Sequence, residues 1–221
     1  MTGWVLFVAM LVAAPAIAVR PAAAQSDAGG SALESDAAAC HRPNGGQPSI
    51  DACSRLIASG RATGHELAVL LNDLGLLRYR AGDAGGALGD YDRALAADPG
   101  LGTAWYNRGL ALARLGRPDD AISDFTRAGE LVPDRAVIWV SRGAAYAMTG
   151  DPARAIEDYD RALALEPALA SAWANRGAAR IRLGELMQGR ADLLAALRLD
   201  PGNATATDWL RQVDNRLRQA D

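Results

Sequence analysis

"AWYNRGLALARLGRPDDAISDFTRAGELVPDR", residues 104–135, is written again as "IWVSRGAAYAMTGDPARAIEDYDRALALEPAL", residues 138–169, with a Trp, a Gly, an Ala, an aromatic and a Pro at the same offsets. The shift is 34 residues, and rows of that length starting at Ala68, Gly102, Ala136 and Ala170 extend the match to four copies. Column four reads Leu71, Trp105, Trp139, Trp173; column eight is Gly75, Gly109, Gly143, Gly177. Column 20 holds Ala87, Ala121, Ala155, Gly189, and column 24 holds Tyr91, Phe125, Tyr159, Leu193. Column 27 is Ala94, Ala128, Ala162, Ala196, and column 32 is Pro99, Pro133, Pro167, Pro201. A period of this size is the signature of a stacked repeat architecture.

Each column has a physical reason. Every row contains two apolar-periodic stretches separated by "GD", "GRP", "GDP" or "GE", which reads as two helices and a turn. Gly116 and Gly150 stop a helix, and Pro118 and Pro152 open the next one, where a missing N–H costs little. Small residues at columns eight, 20 and 27 let two helices approach closely, and large ones at columns four and 24 fill the space beside them, Trp against Tyr or Phe. Pro at column 32 ends the second helix. One such hairpin cannot bury its apolar face, so the rows must stack.

These columns resemble the tetratricopeptide-repeat family over residues 68–203. The resemblance implies an all-α, right-handed superhelical solenoid of antiparallel helix hairpins with a concave inner surface. "ATATDWLRQVDNRLRQAD", residues 204–221, places Leu210, Val213 and Leu217 on one face and reads as a C-terminal capping helix. At the other end, residues 48–67 read as a degenerate half-repeat helix and link, with Ser49, Cys53 and Leu56 where columns 20, 24 and 27 would fall. Residues 25–47 read as a flexible leader.

Residues 1–24 stand apart. The apolar run "GWVLFVAMLVAAPAIAV" followed by "AAAQ" reads as a signal peptide cleaved after Ala24, and the chain is expected to be periplasmic or secreted. The n-region "MTG" lacks a basic residue, and the alternative is an uncleaved anchor, against which stand the shortness of the run and Pro15. In an exported chain the two cysteines, Cys40 and Cys53, are expected to form a disulfide; two free thiols, or a metal site with His41 and His65, are the alternatives. The spacing matches no zinc pattern.

The charge pattern narrows the function. Net charge is −3 and all 23 basic residues are Arg, so no basic surplus points to nucleic acid or an anionic membrane. Column seven is Leu74, then Arg108, Arg142, Arg176; column 23 is Asp90, Asp124, Asp158, Asp192. An anion site is one reading of the arginines. Structural ion pairs are the favoured one, with Asp of one row meeting Arg of the next: Asp90–Arg108, Asp124–Arg142, Asp158–Arg176. Column 26, Arg93, Arg127 and Arg161, reads as a solvated stripe. No nucleophile motif, phosphate loop or paired metal-ligand spacing is present, so no enzyme, cofactor or metal is expected.

In the family the groove is lined by the first helix of each row. Carried over, the groove residues are Asn72, Tyr79, Tyr106, Asn107, Leu110, Val140, Asn175 and Ile181, with Arg80, Arg114 and Arg182 along one rim and Met148 breaking their series. Side-chain amides at a fixed pitch can bond an extended peptide's backbone; bracing of adjacent helices is the equal alternative. One subfamily clamps a C-terminal carboxylate, but of the corresponding residues here, Asn72, Leu76, Asn107, Val137 and Ser141, only Asn107 agrees, and that activity does not carry over. The resemblance implies a non-catalytic protein–protein interaction module, an envelope scaffold or assembly adaptor binding a peptide segment. Self-association, or service as a non-catalytic subunit of an envelope enzyme, is the alternative.

Overall fold

The computed structural model describes residues 22–42 and 45–220, so the apolar run of the signal-peptide reading lies outside the described residues. Eleven helices and no strand occur among them. They are α1 Ala22–Cys40, α2 Gly46–Ala58, α3 Gly64–Arg80, α4 Ala84–Ala97, α5 Gly102–Arg114, α6 Pro118–Leu131, α7 Ala136–Thr149, α8 Pro152–Leu165, α9 Ala170–Arg182, α10 Leu186–Leu199 and α11 Ala204–Ala220. The compact unit is Asp36–Asp221; the preceding unit ends at Ser35.

Four hairpins, α3–α4, α5–α6, α7–α8 and α9–α10, follow the 34-residue period. Each turn has the same chemistry. A glycine at column 15 takes a positive φ, 76° at Gly116 and 85° at Gly150, where a side chain would be strained. The next residue's N–H then reaches back five residues, Arg117 to the Leu112 carbonyl and Asp151 to that of Tyr146, both at 2.9 Å. Pro118 and Pro152 begin α6 and α8, and the Asp151 carboxylate accepts from the Arg154 N–H to cap α8.

The hairpin closes at column eight. A Cβ added to Gly109 would stand 2.7 Å from the Phe125 ring, one on Gly75 2.6 Å from Tyr91, and one on Gly143 2.8 Å from Tyr159. Columns eight and 24 therefore meet within one hairpin. The expected packing of Trp beside that aromatic is seen in the second row, where Trp105 packs in the cluster of Phe125, and not in the third, where Trp139 and Tyr159 lie in separate clusters. The column-four indoles look backwards along the chain, Trp105, Trp139 and Trp173 donating to the carbonyls of Pro99, Pro133 and Pro167 at 2.9, 2.9 and 2.8 Å. Trp and Pro thus tie one repeat to the next, and at Gly129 the second helix leaves room for the Trp139 ring.

Helix contacts set the curvature. First helices also touch one another, α3 with α5, α5 with α7, α7 with α9, α9 with α11, whereas the second helices make their main contacts with first helices. The first helices therefore crowd the inner side of the superhelix. The helix α11 starts at Ala204, 34 residues after Ala170, and buries Val213 against α9 and α10; it is the first helix of a fifth row as well as a cap.

The N-terminal region departs from expectation. Residues 25–40, read as flexible leader, belong to α1, an alanine-rich stretch with high intrinsic helicity. The end of α1 is pinned to α2: Cys40 and Cys53 are joined by a disulfide, Asp36 accepts two bonds from Arg55, and the Ser49 hydroxyl donates to the Ala39 carbonyl. The link also shortens, because Gly64, His65 and Glu66 form an extra first turn of α3. His65 Nδ1 lies 2.5 Å from Asp98 and His41 Nδ1 lies 3.0 Å from Asp73. The cysteines are bonded to each other and the histidines to separate carboxylates, which replaces the metal alternative.

Replacing Gly109 by Ala should cost about 1–3 kcal/mol, since the Phe125 ring must shift. Gly89→Ala, on the exposed side of α4 with open space around it, should instead stabilise by up to about 1 kcal/mol. Chemical denaturation of both variants checks the pair; equal effects would refute close packing at column eight.

Candidate functional site: the inner groove

The buried charges come first, because they decide which polar groups remain for a ligand. Asp90, Asp124, Asp158 and Asp192 are at most 4% exposed, so each needs a cation. The expected pairing with the next row is not observed. Arg108 holds Asp124 by two bonds of 2.7 and 2.8 Å, Arg142 holds Asp158 at 2.9 and 2.7 Å, and Arg176 holds Asp192 at 2.9 and 2.8 Å. All three pairs lie within one hairpin. The reason is the column-eight closure: where Gly109 meets Phe125, their neighbours Arg108 and Asp124 meet as well.

Asp90, without an Arg at column seven, bonds Arg78 at 2.6 Å, and Asp192 gains Arg180 at 2.8 Å. Leu74 stands in place of Arg because it packs against Cys53 and Leu70 in the N-terminal core. The link between rows passes through column 25: Arg108 also bonds Asp92, Arg176 bonds Asp160, and Arg142 bonds the Thr126 hydroxyl. Each guanidinium stacks on the Trp three residues before it, 4.6–4.7 Å from the ring centre. The arginines are structural.

The rim arginines are tied too. Arg114 donates to the Tyr79 carbonyl and stacks on its ring, Arg182 donates to the Ala147 carbonyl, and Arg216 to that of Ile181. Each reaches the C-terminal end of the preceding first helix, where the dipole favours a cation.

Several expected groove residues serve the fold. Ile181 is 2% exposed and packs on Gly189 within the last core cluster; it does not line the groove. Asn72 is buried and accepts from the Asn107 amide at 2.9 Å, so these two brace α3 against α5. Tyr106 faces Ser141 at 3.4 Å and the Phe125 ring at 5.8 Å, and Tyr79 lies under Arg114. Leu110 and Val140 are half-buried on the first-helix face. At the first row the chain covers its own groove: Cys40, His41 and Arg42 stand over Asp73, Leu76 and Leu77 around a cavity of about 160 Å³.

Asn175 is different. It has no hydrogen-bond partner among the described residues, and it lines a cavity of about 230 Å³ between α7, α9 and α11. Ala144, Ala147 and Ala178 form the walls, Met148, Arg182 and Trp209 the rim, and Tyr159 the floor. Met148 is 58% exposed. Arg182 lies over the Trp209 ring at 5.7 Å. Trp209 was missed in sequence because the row count stopped at residue 203; counted onward, it falls in column six, the column of Asn107 and Asn175. Burial pushes the Tyr159 phenol upward, Arg182 opposing, so the hydroxyl keeps its proton.

Tetratricopeptide-repeat family profiles match residues 72–136 and 136–169. The first such domain of Spaghetti (RPAP3), solved bound to the HSP90 peptide SRMEEVD, is 30% identical over 53% of this chain and 93% of that one, with a TM-score of 0.52. The first domain of human RPAP3 is 30% identical over 55% and 95%, with a TM-score of 0.53. MamA is 25% identical over 67% and 81%, with a TM-score of 0.62. No curated protein matches the chain. With its repeats, their closure and these likenesses, the chain belongs to the tetratricopeptide-repeat family. It is a protein-interaction module, on a fold that is generally a non-catalytic scaffold.

Two predictions follow from the charges. A double-mutant cycle on Arg142 and Asp158 should show coupling of about 1 kcal/mol or more, and one on Arg142 and Asp124 should be additive within about 0.5 kcal/mol; the reverse result would restore the row-to-row pairing. Asp90 adds a pH dependence. Burial raises its carboxyl above the ordinary 3.8, with Arg78 opposing, so its contribution to stability is full below that value and declines as pH rises through the folded-state value. Asp90→Asn should therefore be more favourable, relative to wild type, at pH 7 than at pH 3, as read by urea unfolding at both.

Proposed function

We propose that this protein is an exported adaptor, resident in the cell envelope and periplasmic in a Gram-negative cell, that holds an extended segment of a partner in its inner groove and so acts as a scaffold or assembly factor. The observation that carries the reading is the α7–α9–α11 cavity: its amide at Asn175 is unspent while Asn72 and Asn107 are consumed by each other. A neighbour of the same fold solved with bound peptide supports the class of ligand. Export is supported by the apolar run before "AAAQ" and by the Cys40–Cys53 bridge, a bond that persists in oxidising compartments.

A photo-crosslinking residue placed at 144 or 178, on the groove, or at 127, on the exposed outer side of α6, tests the reading in the native envelope. Discrete adducts from the two groove positions and none from 127 are expected. Adducts from 127 alone would overturn it, and an adduct at twice the protein's mass would replace the adaptor with a self-associating structural protein.

A further inference from the structure

The polar groups of the groove cavity carry positive charge and no negative charge. Four polar side chains line it: the Tyr159 and Thr205 hydroxyls, the Asn175 amide and the Arg182 guanidinium. Each can donate a hydrogen bond, Arg182 is the single charged lining residue, and no carboxylate lines the cavity. Tyr159 is 1% exposed, and its hydroxyl has no partner among the described residues although the cavity reaches it. Arg182 is held in place by its bond to the Ala147 carbonyl at 3.2 Å and by the Trp209 ring, and its other N–H groups have no partner among the described residues.

We propose that this pocket takes the side chain of a glutamate from an extended partner segment, the methylenes lying against Ala144, Ala147 and Ala178 and the carboxylate accepting from Tyr159, Asn175 and Arg182. The proposal rests on the groove-binding reading above and names what the groove selects. A neutral amide or a main-chain carbonyl could satisfy Tyr159 and Asn175 but would leave the Arg182 charge unanswered. A side chain suits the site because the apolar walls match a methylene stem. The Trp209 ring closes one side and is supplied by α11. The helix read as a cap is therefore part of the binding surface.

The test uses the full chain, labelled with ¹⁵N, and three probes: N-acetyl-Ala-Glu-Ala-amide, its Gln counterpart, and N-acetyl-Ala-Ala-Ala with a free C-terminus. The Trp209 indole N–H and Asn175 side-chain N–H signals report binding. The Glu tripeptide should shift both saturably and bind about tenfold or more tightly than the Gln one, as a charge-assisted contact requires. Arg182→Gln should erase the difference. Tyr159→Phe should weaken the Glu tripeptide about fivefold while leaving the melting temperature unchanged or raised, since the ring stays and only an unpaired hydroxyl is lost. A purely structural role for Tyr159 would move the melting temperature and not the affinity. Equal binding of Glu and Gln probes, response to the free terminus alone, or no shift with any probe would overturn the assignment. The groove crosslinks at 144 and 178 would survive such a result; their absence in the wild type would overturn the broader reading as well.

Discussion

Everything in this solenoid depends on how closely two helices approach at column eight. A glycine there lets an aromatic ring from column 24 lie directly on the backbone of the facing helix, 2.6–2.8 Å from where a Cβ would stand in the first three hairpins. That approach draws the neighbouring residues into the same interface. Column 23 is thereby buried, and it is an aspartate in all four rows. A buried carboxylate needs a cation, and column seven, beside the glycine, supplies one bidentately in three of the rows. The same guanidinium then covers the Trp of its own helix and reaches back to the preceding hairpin. One steric constraint thus organises the hairpin core, its buried charge and its bond to the neighbour.

The period made the hairpins legible, because Gly, Ala, aromatic and Pro recur for reasons of backbone geometry and volume. The pairing of charges was not read correctly, although the information was present. The row after Asp192 carries Leu210 and no Arg at column seven, and Arg78 lies within the row that lacks one there. The groove was legible as a face and less so as a site. Column membership places Ile181 at the groove, yet the packing of α11 and α10 encloses it. Whether an asparagine braces a neighbour or waits for a ligand depends on the residue one row away: Asn107 meets Asn72, while the column-six residue following Asn175 is Trp209.

The two ends of the array explain its exceptions. Column seven is Leu74 at the start and Leu210 in α11. Leu74 packs in the core cluster that holds the Cys40–Cys53 disulfide. The bridge holds Cys40, His41 and Arg42 over the first row, so this stretch of groove is occupied by the chain itself. The open part of the face lies at the other end, under Trp209.

The joints between hairpins are not alike. Between the first and second, and between the third and fourth, an Arg–carboxylate contact on one side, Arg108–Asp92 and Arg176–Asp160, accompanies an Arg–carbonyl contact on the other, from Arg114 and Arg182. Between the second and third, Thr126 replaces the carboxylate and Met148 the rim arginine, while Gly129 admits the Trp139 ring. Two joints are thus electrostatic and one is a matter of shape. The exposed carboxylates of Asp92 and Asp160 place the first kind within reach of dissolved ions, whereas the second responds mainly to temperature through apolar burial. The array is not a uniform spring: ionic strength alters its outer joints and leaves the middle one set, so the bend of the groove follows its surroundings unevenly along its length.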